Sequence, residues 1–225
     1  SGHAEVRLLS NLQSHRDETF YLGIEMAMDK GWHTYWQNPG DSGGAFDVIW
    51  ESPEGFIIEN VSWPTPELIP YPPLMTYGYE DYVLFPFQVF RTAESNFGVV
   101  KATINFLICA DICVPESASI EIDLSTEQAS PLIADGITKV PNKVMPISID
   151  LDNQNLNLGF AFDGTINDAY FFTDNQGDIK HSSSQKLRRL GGNNYELILE
   201  QASLIPDQLS GILKINDSGF IVMPT

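Results

Sequence analysis

Two cysteines, Cys109 and Cys113, stand four residues apart and are the only cysteines of this 225-residue chain. A disulfide stabilises a protein through its unfolded chain by an amount that grows with loop length, so a bridge over so short a loop is a poor structural brace. Thiol–disulfide exchange explains the spacing better, because two closely spaced cysteines supply a resolving thiol next to the attacking one. We therefore interpret Cys109 and Cys113 as a redox-active pair.

Other uses of the two sulfurs remain open from the residues alone. A closed zinc site requires four Cys or His ligands, and the chain has no second cysteine pair. Soft thiolates and thioethers favour Cu(I), and Met75 or His33 could add ligands. The pair could also be an inert disulfide or two buried thiols. The alternative to redox chemistry is therefore a binding or copper-handling module with a structural disulfide, whereas our interpretation requires no metal and no other cofactor.

A second distinctive segment, residues 31–43, is dense in aromatic side chains and ends in turn-forming residues. One interpretation is a strand end whose aromatic rings fill the core. The other places His33 and Tyr35 beside the sulfurs as hydrogen-bonding or shielding groups. Both interpretations stay open at this point.

The elements around the cysteines alternate between apolar and polar residues, which indicates half-buried β-strands. Residues 100–108 and 118–124 have this pattern and flank the pair, so the cysteines are predicted to lie at a strand end. Further strands are predicted at residues 20–28, 46–50 and 83–90, and Pro86 places the last of these at a sheet edge or bulge. The first half of the chain is therefore predicted to be a β-sandwich.

Prolines interrupt the segment 63–80, which is predicted to be a long, stiff surface loop. Such a loop either carries binding function or is a packed irregular connection.

The pattern changes after Leu124. Ser130 as an N-cap and Pro131 as the first helical residue predict a short helix within a linker. Short strands separated by turn-rich segments then predict a second sandwich, at residues 147–151, 156–162, 169–173, 195–200, 211–215 and 220–223. We predict a first domain over residues 1–125, a linker over 126–145 and a second domain over 146–225.

The composition excludes some functions. The net charge is −18 and the pI is about 4.3, which argues against a nucleic-acid ligand because phosphate binding needs a basic surface. No apolar run approaches the roughly 20 residues that span a bilayer. Residues 1–3 carry no basic or apolar targeting segment, so we expect that any signal peptide has been removed.

Several motifs together resemble the N-terminal domain of the thiol:disulfide interchange protein DsbD, and more closely its ScsB-like relatives. They are Gly-Trp-His-Thr-Tyr-Trp at 31–36, Asn-Pro-Gly-Asp-Ser-Gly at 38–43, Tyr-Gly-Tyr-Glu at 77–80 and Cys-Ala-Asp-Ile-Cys-Val-Pro-Glu at 109–116. The resemblance covers residues 5–125, and the cysteine segment is its most specific part. Residues 126–225 match only the two-domain plan of the ScsB-like proteins.

The resemblance implies a fold and an activity. The fold class is all-β, with two immunoglobulin-like β-sandwich domains, the first of them DsbD N-terminal-like. The activity is that of a protein-disulfide reductase, as the periplasmic electron-transfer domain of a larger inner-membrane enzyme. Cys113 would form the mixed disulfide with a partner and Cys109 would resolve it. General disulfide repair and protection against copper-driven oxidation use the same thiol chemistry.

The resemblance also implies partners and supporting residues. Electrons would come from membrane and thioredoxin-like domains of the same or a partner protein, and would pass to periplasmic thioredoxin-like oxidoreductases. A cap loop shields the cysteines in this family, and its end corresponds here to Met75, Thr76, Tyr77 and Gly78. Thr76 stands where the DsbD cap has phenylalanine, so Met75 or Tyr77 would cover the sulfurs. The aromatic positions near the sulfurs correspond to His33 and Tyr35, and the cysteine spacing is two residues shorter than in DsbD.

Overall fold

A computed structural model describes residues 2–14, 16–92, 96–126, 128–152, 155–202 and 209–225. The chain forms two compact units. Unit 1 comprises Ser1–Gln37, Gly43–Glu67 and Gly78–Val140, and unit 2 comprises Asn38–Ser42, Leu68–Tyr77 and Pro141–Thr225. The two short segments of unit 2 come from the part of the sequence assigned above to the first domain. The three domain ranges stay a prediction, and Glu127 of the linker lies outside the described residues.

Strands dominate the described residues, which confirms the all-β class. They are β1 (Ala4–Ser10), β2 (Thr19–Met28), β3 (His33–Gly40), β4 (Asp47–Glu51), β5 (Phe56–Val61), β6 (Glu67–Tyr71), β7 (Leu74–Glu80), β8 (Tyr82–Arg91), β9 (Val99–Cys109), β10 (Cys113–Asp123), β11 (Lys143–Asp152), β12 (Asn155–Ala161), β13 (Ala169–Thr173), β14 (Lys186–Gly191), β15 (Asn194–Glu200), β16 (Gly211–Ile215) and β17 (Ser218–Pro224). The helix α1 covers Leu132–Lys139. Within the described part of the chain, no helix is long and apolar enough to cross a membrane.

The first sheet has the strand order β1-β2-β8-β5. In β2 the predicted inward residues Phe20, Leu22, Ile24 and Met26 are buried, as the alternation requires. The sheet-edge placement predicted for Pro86 was wrong, because β8 lies between β2 and β5, but the alternative of a bulge agrees with the register shift between Ile58 and Val61 in the pairing of β5 with β8. Pro86 is tolerated there because β5 ends at Val61, which pairs with Phe87, so Pro86 lies beyond the last ladder pair of β5.

The second sheet has the order β10-β9-β3-β7-β6, and β4 also pairs with β9. Strands β9 and β10 confirm the two strands predicted on either side of the cysteines. Strand β10 begins at Cys113, five positions before the predicted start at residue 118.

The prediction of a surface loop over residues 63–80 was wrong, because β6 and β7 fall within this segment. The prolines still have their expected effect on the backbone. Pro70 lies in β6, which is the last strand of the sheet order, and Pro72 and Pro73 form the turn that precedes β7. Strand β7 itself contains no proline and can pair on both of its sides.

The predicted short helix is present as α1. Pro131 occupies the N-cap position instead of Ser130, a shift of one residue. The helix packs on unit 1 through Ile133 and Gly136, which contact Leu84 of β8 and Gly23 of β2. It is therefore a packed element of unit 1, and the change of unit follows it, between Val140 and Pro141.

Unit 2 contains the seven-stranded order β13-β16-β17-β11-β12-β15-β14. Strand β11 pairs with β17 through residues 143–147 and with β12 through residues 148–152. It therefore joins the two halves of this strand order, β13-β16-β17 and β12-β15-β14. Side chains from both halves share one buried core, including Ile147, Leu158, Phe171, Leu197 and Leu213. This arrangement confirms the predicted second sandwich. Strand β14 was not predicted, because its side chains are all exposed and show no apolar face.

Candidate functional site

The cysteines lie at the end of the hairpin that β9 and β10 form in unit 1. Cys109 is the last residue of β9, Cys113 is the first of β10, and the two are paired across the strands. Residues 110–112 form the turn, in which the Ala110 N–H donates a hydrogen bond of 3.0 Å to the Ile112 carbonyl. The sulfurs form a disulfide, with the two Cα atoms 4.1 Å apart. The hairpin itself therefore sets the pair's geometry.

The two sulfur-bearing residues differ in solvent exposure. Cys109 is 1% exposed, whereas Cys113 is exposed and Ile112 beside it is 66% exposed. Cys109 departs from the alternation of β9, since Ile108 before it is also buried; β9 lies between β10 and β3, and His33 of β3 pairs with Cys109. Cys113 begins β10, which is the last strand of the sheet order and has many exposed positions. A thiolate from another protein can therefore approach Cys113, but the protein itself covers Cys109.

Tyr35 contacts the disulfide, and His33 contacts Tyr35. The Tyr35 hydroxyl donates a hydrogen bond of 3.0 Å to Cys109 Sγ and lies 3.5 Å from Cys113 Sγ. His33 Nε2 lies 3.4 Å from the Tyr35 hydroxyl oxygen, and the two rings meet edge to face. Of the two interpretations left open for residues 31–43, the position beside the sulfurs is the one observed, although both side chains are also buried.

Burial sets the protonation of these two groups. It lowers the pKa of His33 and raises the pKa of Tyr35. Near neutral pH the imidazole is therefore uncharged, and the Tyr35 hydroxyl keeps the proton that it donates to sulfur. The arrangement can stabilise negative charge on Cys109 without placing a cation beside it.

Thr34, Gly43 and Gly78 hold Tyr35 and its strand in place. The Thr34 hydroxyl donates a hydrogen bond of 3.0 Å to the Leu107 carbonyl, which ties this part of β3 to β9. Gly43 has a φ of +103° and packs against the Tyr35 ring so closely that a Cβ atom would overlap it. A Cβ atom on Gly78 would overlap the Thr34 carbonyl, so only glycine allows β7 to approach β3 here.

The remaining predicted cap residues belong to unit 2 and have their contacts there. The Met75 N–H donates to Asp41 Oδ2 at 2.9 Å, and the Thr76 hydroxyl donates to the Ile69 carbonyl at 2.8 Å. Gly78 belongs to unit 1 and has the packing role just described. The structure thus brings Tyr35 to the sulfurs and His33 next to Tyr35, and the cap role of residues 75–78 stays a prediction.

Tyr77 is fully buried within unit 2, among Tyr170, Phe172 and His181. Its hydroxyl lies 2.9 Å from His181 Nδ1 and 3.1 Å from the Tyr170 hydroxyl. Burial raises the pKa of Tyr77, so the phenol stays protonated. The Tyr77 hydroxyl therefore has hydrogen-bond partners other than the two sulfurs.

No metal centre accompanies the disulfide in the ranges that the structure describes, where no group of three or more His, Cys, Asp or Glu side chains could hold an ion. Asp111 is exposed in the turn between the cysteines, as expected for a turn residue. The groups that meet at this site are two sulfurs, a phenol and an uncharged imidazole.

Comparison with known proteins gives a family and a fold. The family model "Thiol:disulfide interchange protein DsbD, N-terminal" matches residues 5–124. The N-terminal periplasmic domain of ScsB from Proteus mirabilis is similar in structure, with a TM-score of 0.76 and 22% identity over 99% of this chain and 92% of that chain. The reduced N-terminal domain of DsbD from Neisseria meningitidis matches with a TM-score of 0.28 and 13% identity, over 52% of this chain and 83% of that chain. No curated protein sequence matches the chain.

Proposed function

Since the chain belongs to the family of DsbD N-terminal domains, we propose that Cys109 and Cys113 relay electrons in periplasmic thiol:disulfide interchange. The observation that carries this proposal is the unequal exposure of the two cysteines, with Cys113 exposed and Cys109 1% exposed. A relay needs one sulfur that a partner can reach and one that resolves the mixed disulfide before a second partner arrives. A disulfide that served only as a brace has no need of this asymmetry.

The reaction starts from the reduced pair. The Cys113 thiolate attacks one sulfur of a partner's disulfide, a new S–S bond forms between the proteins, and the partner's other sulfur leaves as a thiolate. The Cys109 thiolate then attacks Cys113 Sγ, which restores the Cys109–Cys113 disulfide and releases the partner's second thiolate. The partner gains two electrons and takes up two protons to become a dithiol, and the pair is oxidised.

Tyr35 assists whenever charge develops on the buried sulfur. In the return half of the cycle a donor thiolate attacks Cys113 Sγ and Cys109 leaves as a thiolate. The Tyr35 hydroxyl, 3.0 Å from Cys109 Sγ, donates a hydrogen bond to this leaving group. His33, which burial keeps uncharged near neutral pH, lies 3.4 Å from the Tyr35 hydroxyl oxygen through its Nε2 and helps to orient the phenol.

We place this cycle in the periplasm, as part of a larger membrane enzyme. The electron donors are membrane and thioredoxin-like domains of the same or a partner protein, and the acceptors are thioredoxin-like oxidoreductases. The redox domain covers residues 1–125, a second domain of unassigned task covers 146–225, and residues 126–145 join them. Copper tolerance would follow if the acceptors repair proteins that copper has oxidised.

The alternative function is a binding or copper-handling module with a structural disulfide. No particular contact favours it, since the exposed Cys113 and the phenol on Cys109 both have a use in exchange chemistry. A copper titration separates the two functions. A tight site that protects the reduced thiols from alkylation supports copper handling, and unchanged thiol reactivity removes it.

Trapping of the mixed disulfide tests the direction of attack. We expect the Cys109→Ser variant to accumulate a covalent complex with an oxidised thioredoxin-like protein, because the exposed Cys113 can attack and no resolving thiol follows. The Cys113→Ser variant is the matched control and should trap little, because Cys109 is buried. Trapping through Cys109 and not through Cys113 would reverse the two roles.

A further inference from the structure

Unit 1 has a concave feature that plays no part in the thiol chemistry described above. It is a groove with a volume of about 490 Å³. Its lining comes from β3, β4, β5, β8 and the segments next to them, namely Gln37, Phe46, Val48, Trp50, Ile58, Glu59, Asn60, Val61, Trp63 and Phe87. This volume falls within the range of natural ligand sites, which is about 300–1,000 Å³.

The groove exists because the sandwich is open between two edge strands. Strand β5 is the last strand of its sheet and pairs with β8, while β4 pairs with β9. Within the described residues neither β4 nor β5 has a second strand partner. Backbone N–H and C=O groups along such an edge are available to another extended chain, which is the usual basis of strand addition.

Aromatic side chains form the walls of the groove. Trp50 is half-buried and packs edge to face on Phe87, with ring centroids 5.1 Å apart. Trp63 is also half-buried and lies 5.1 Å from Phe46 and 5.5 Å from Phe85. The buried phenylalanines thus hold both indoles in place, and each indole stays partly exposed. Ordered indole faces are favourable surfaces for a cation.

A bulge brings polar groups to the same groove. The pairing of β5 with β8 shifts register between Ile58 and Val61, and the residues inside this shift are Glu59 and Asn60. Both line the groove and both are exposed. Bulges change the direction of side chains and often occur at binding sites. Glu59 is the charged member of the lining set, which contains no Lys or Arg among the residues described.

We propose that this groove binds a lysine or arginine side chain that a partner protein presents on an extended segment. The cationic group meets the Glu59 carboxylate and the indoles of Trp50 and Trp63, and the segment's backbone pairs with the open edge of β5. The charge of the groove is complementary to such a segment, and the net charge of −18 on the whole chain attracts it from solution. The occupant is therefore a basic, extended polypeptide.

Binding of a peptide to the oxidised full chain tests this proposal independently of the thiol chemistry. The probe is a blocked five-residue peptide with a central arginine flanked by valine and threonine, and its matched control carries citrulline, the neutral isostere of arginine. Affinity is measured by calorimetry, and the indole N–H signals are followed by NMR. We expect the arginine peptide to shift the signals of Trp50 and Trp63 but not that of Trp32, and to bind about tenfold tighter than the citrulline peptide.

Two conservative variants separate the groove from general attraction to an acidic protein. Glu59→Gln should weaken binding of the arginine peptide about three- to fivefold, whereas Glu54→Gln, an exposed glutamate outside the lining set, should leave it unchanged. The proposal is overturned if the two peptides bind equally, if no saturable binding occurs, or if the two variants weaken binding to the same degree. Equal affinity for free arginine amide would also overturn it, because a small cation and not a segment would then be the ligand.

Discussion

The Tyr35 hydroxyl donates a hydrogen bond of 3.0 Å to Cys109 Sγ, the buried sulfur of the disulfide. The same oxygen lies 3.5 Å from Cys113 Sγ, so one phenol contacts both sulfurs from the protein side. Of the two cysteines, Cys113 is the exposed one, so a partner protein can reach the pair there. This relationship gives the buried sulfur a fixed hydrogen-bond donor in every step in which it carries charge.

Removal of the Tyr35 hydroxyl should slow reduction of the disulfide. When dithiothreitol attacks Cys113 Sγ, Cys109 leaves as a thiolate, and a hydrogen bond to a charged group contributes about 1.5–3 kcal/mol. We expect Tyr35→Phe to lower the rate of reduction about tenfold or more, as measured by quenched alkylation of the thiols. Tyr82→Phe is the control, because Tyr82 is 48% exposed and its hydroxyl donates to Glu25. Equal rates for Tyr35→Phe and the unmodified protein would remove this role.

His33 should make stability depend on pH below its ordinary pKa of 6.5. Burial lowers the pKa of His33, so below pH 6.5 the unfolded chain binds more protons at this residue than the folded chain does. Its contribution to the free energy of unfolding is therefore full above pH 6.5 and decreases as the pH falls. Urea unfolding at pH 7.5 and pH 5 measures this change, and we expect a smaller decrease in His33→Phe than in the unmodified protein. The same decrease in both proteins would show that His33 is not the group that titrates.

Gly43 should be needed to keep Tyr35 in position. A Cβ atom at residue 43 would overlap the Tyr35 ring, and the φ of +103° also disfavours a side chain. We expect Gly43→Ala to lower the free energy of unfolding by about 2–4 kcal/mol and to slow disulfide reduction as Tyr35→Phe does.

Gly31→Ala is the control for backbone strain alone. Gly31 has a φ of +80° but no atom within 4 Å of a Cβ position, so its substitution should cost about 1–2 kcal/mol and leave the reduction rate unchanged. If Gly43→Ala costs no more than Gly31→Ala, the close packing of Gly43 on Tyr35 is not important for the site.

Much of the fold could be predicted because strand alternation is a local signal. Phe20, Leu22, Ile24 and Met26 follow one another at every second position, and the same period identifies β9 and most strands of unit 2. Strand β14 has no apolar face, and β6 contains Pro70, so neither strand shows the alternation of apolar and polar residues that identifies the others.

The site could be predicted in part. The cysteines are visible from their spacing, and the resemblance to DsbD points to His33 and Tyr35, but the burial of Cys109 depends on the position of β3 next to β9. Met75 or Tyr77 is expected to cover the sulfurs because the segment around them matches the family's cap. Tyr77 contacts Tyr170 and His181, which lie more than ninety positions later in the chain, and such contacts cannot be predicted from a local sequence pattern.

A glutathione redox titration of the Cys109–Cys113 pair tests the proposed electron relay most directly. Free thiols are counted by alkylation and mass shift across the series, with the Cys109→Ser variant as the control for complete loss of the transition. We predict a reversible two-electron transition between about −120 and −270 mV, the range of thiol oxidoreductases. A pair that stays oxidised below about −300 mV would be a structural bridge and would contradict electron transfer through these cysteines.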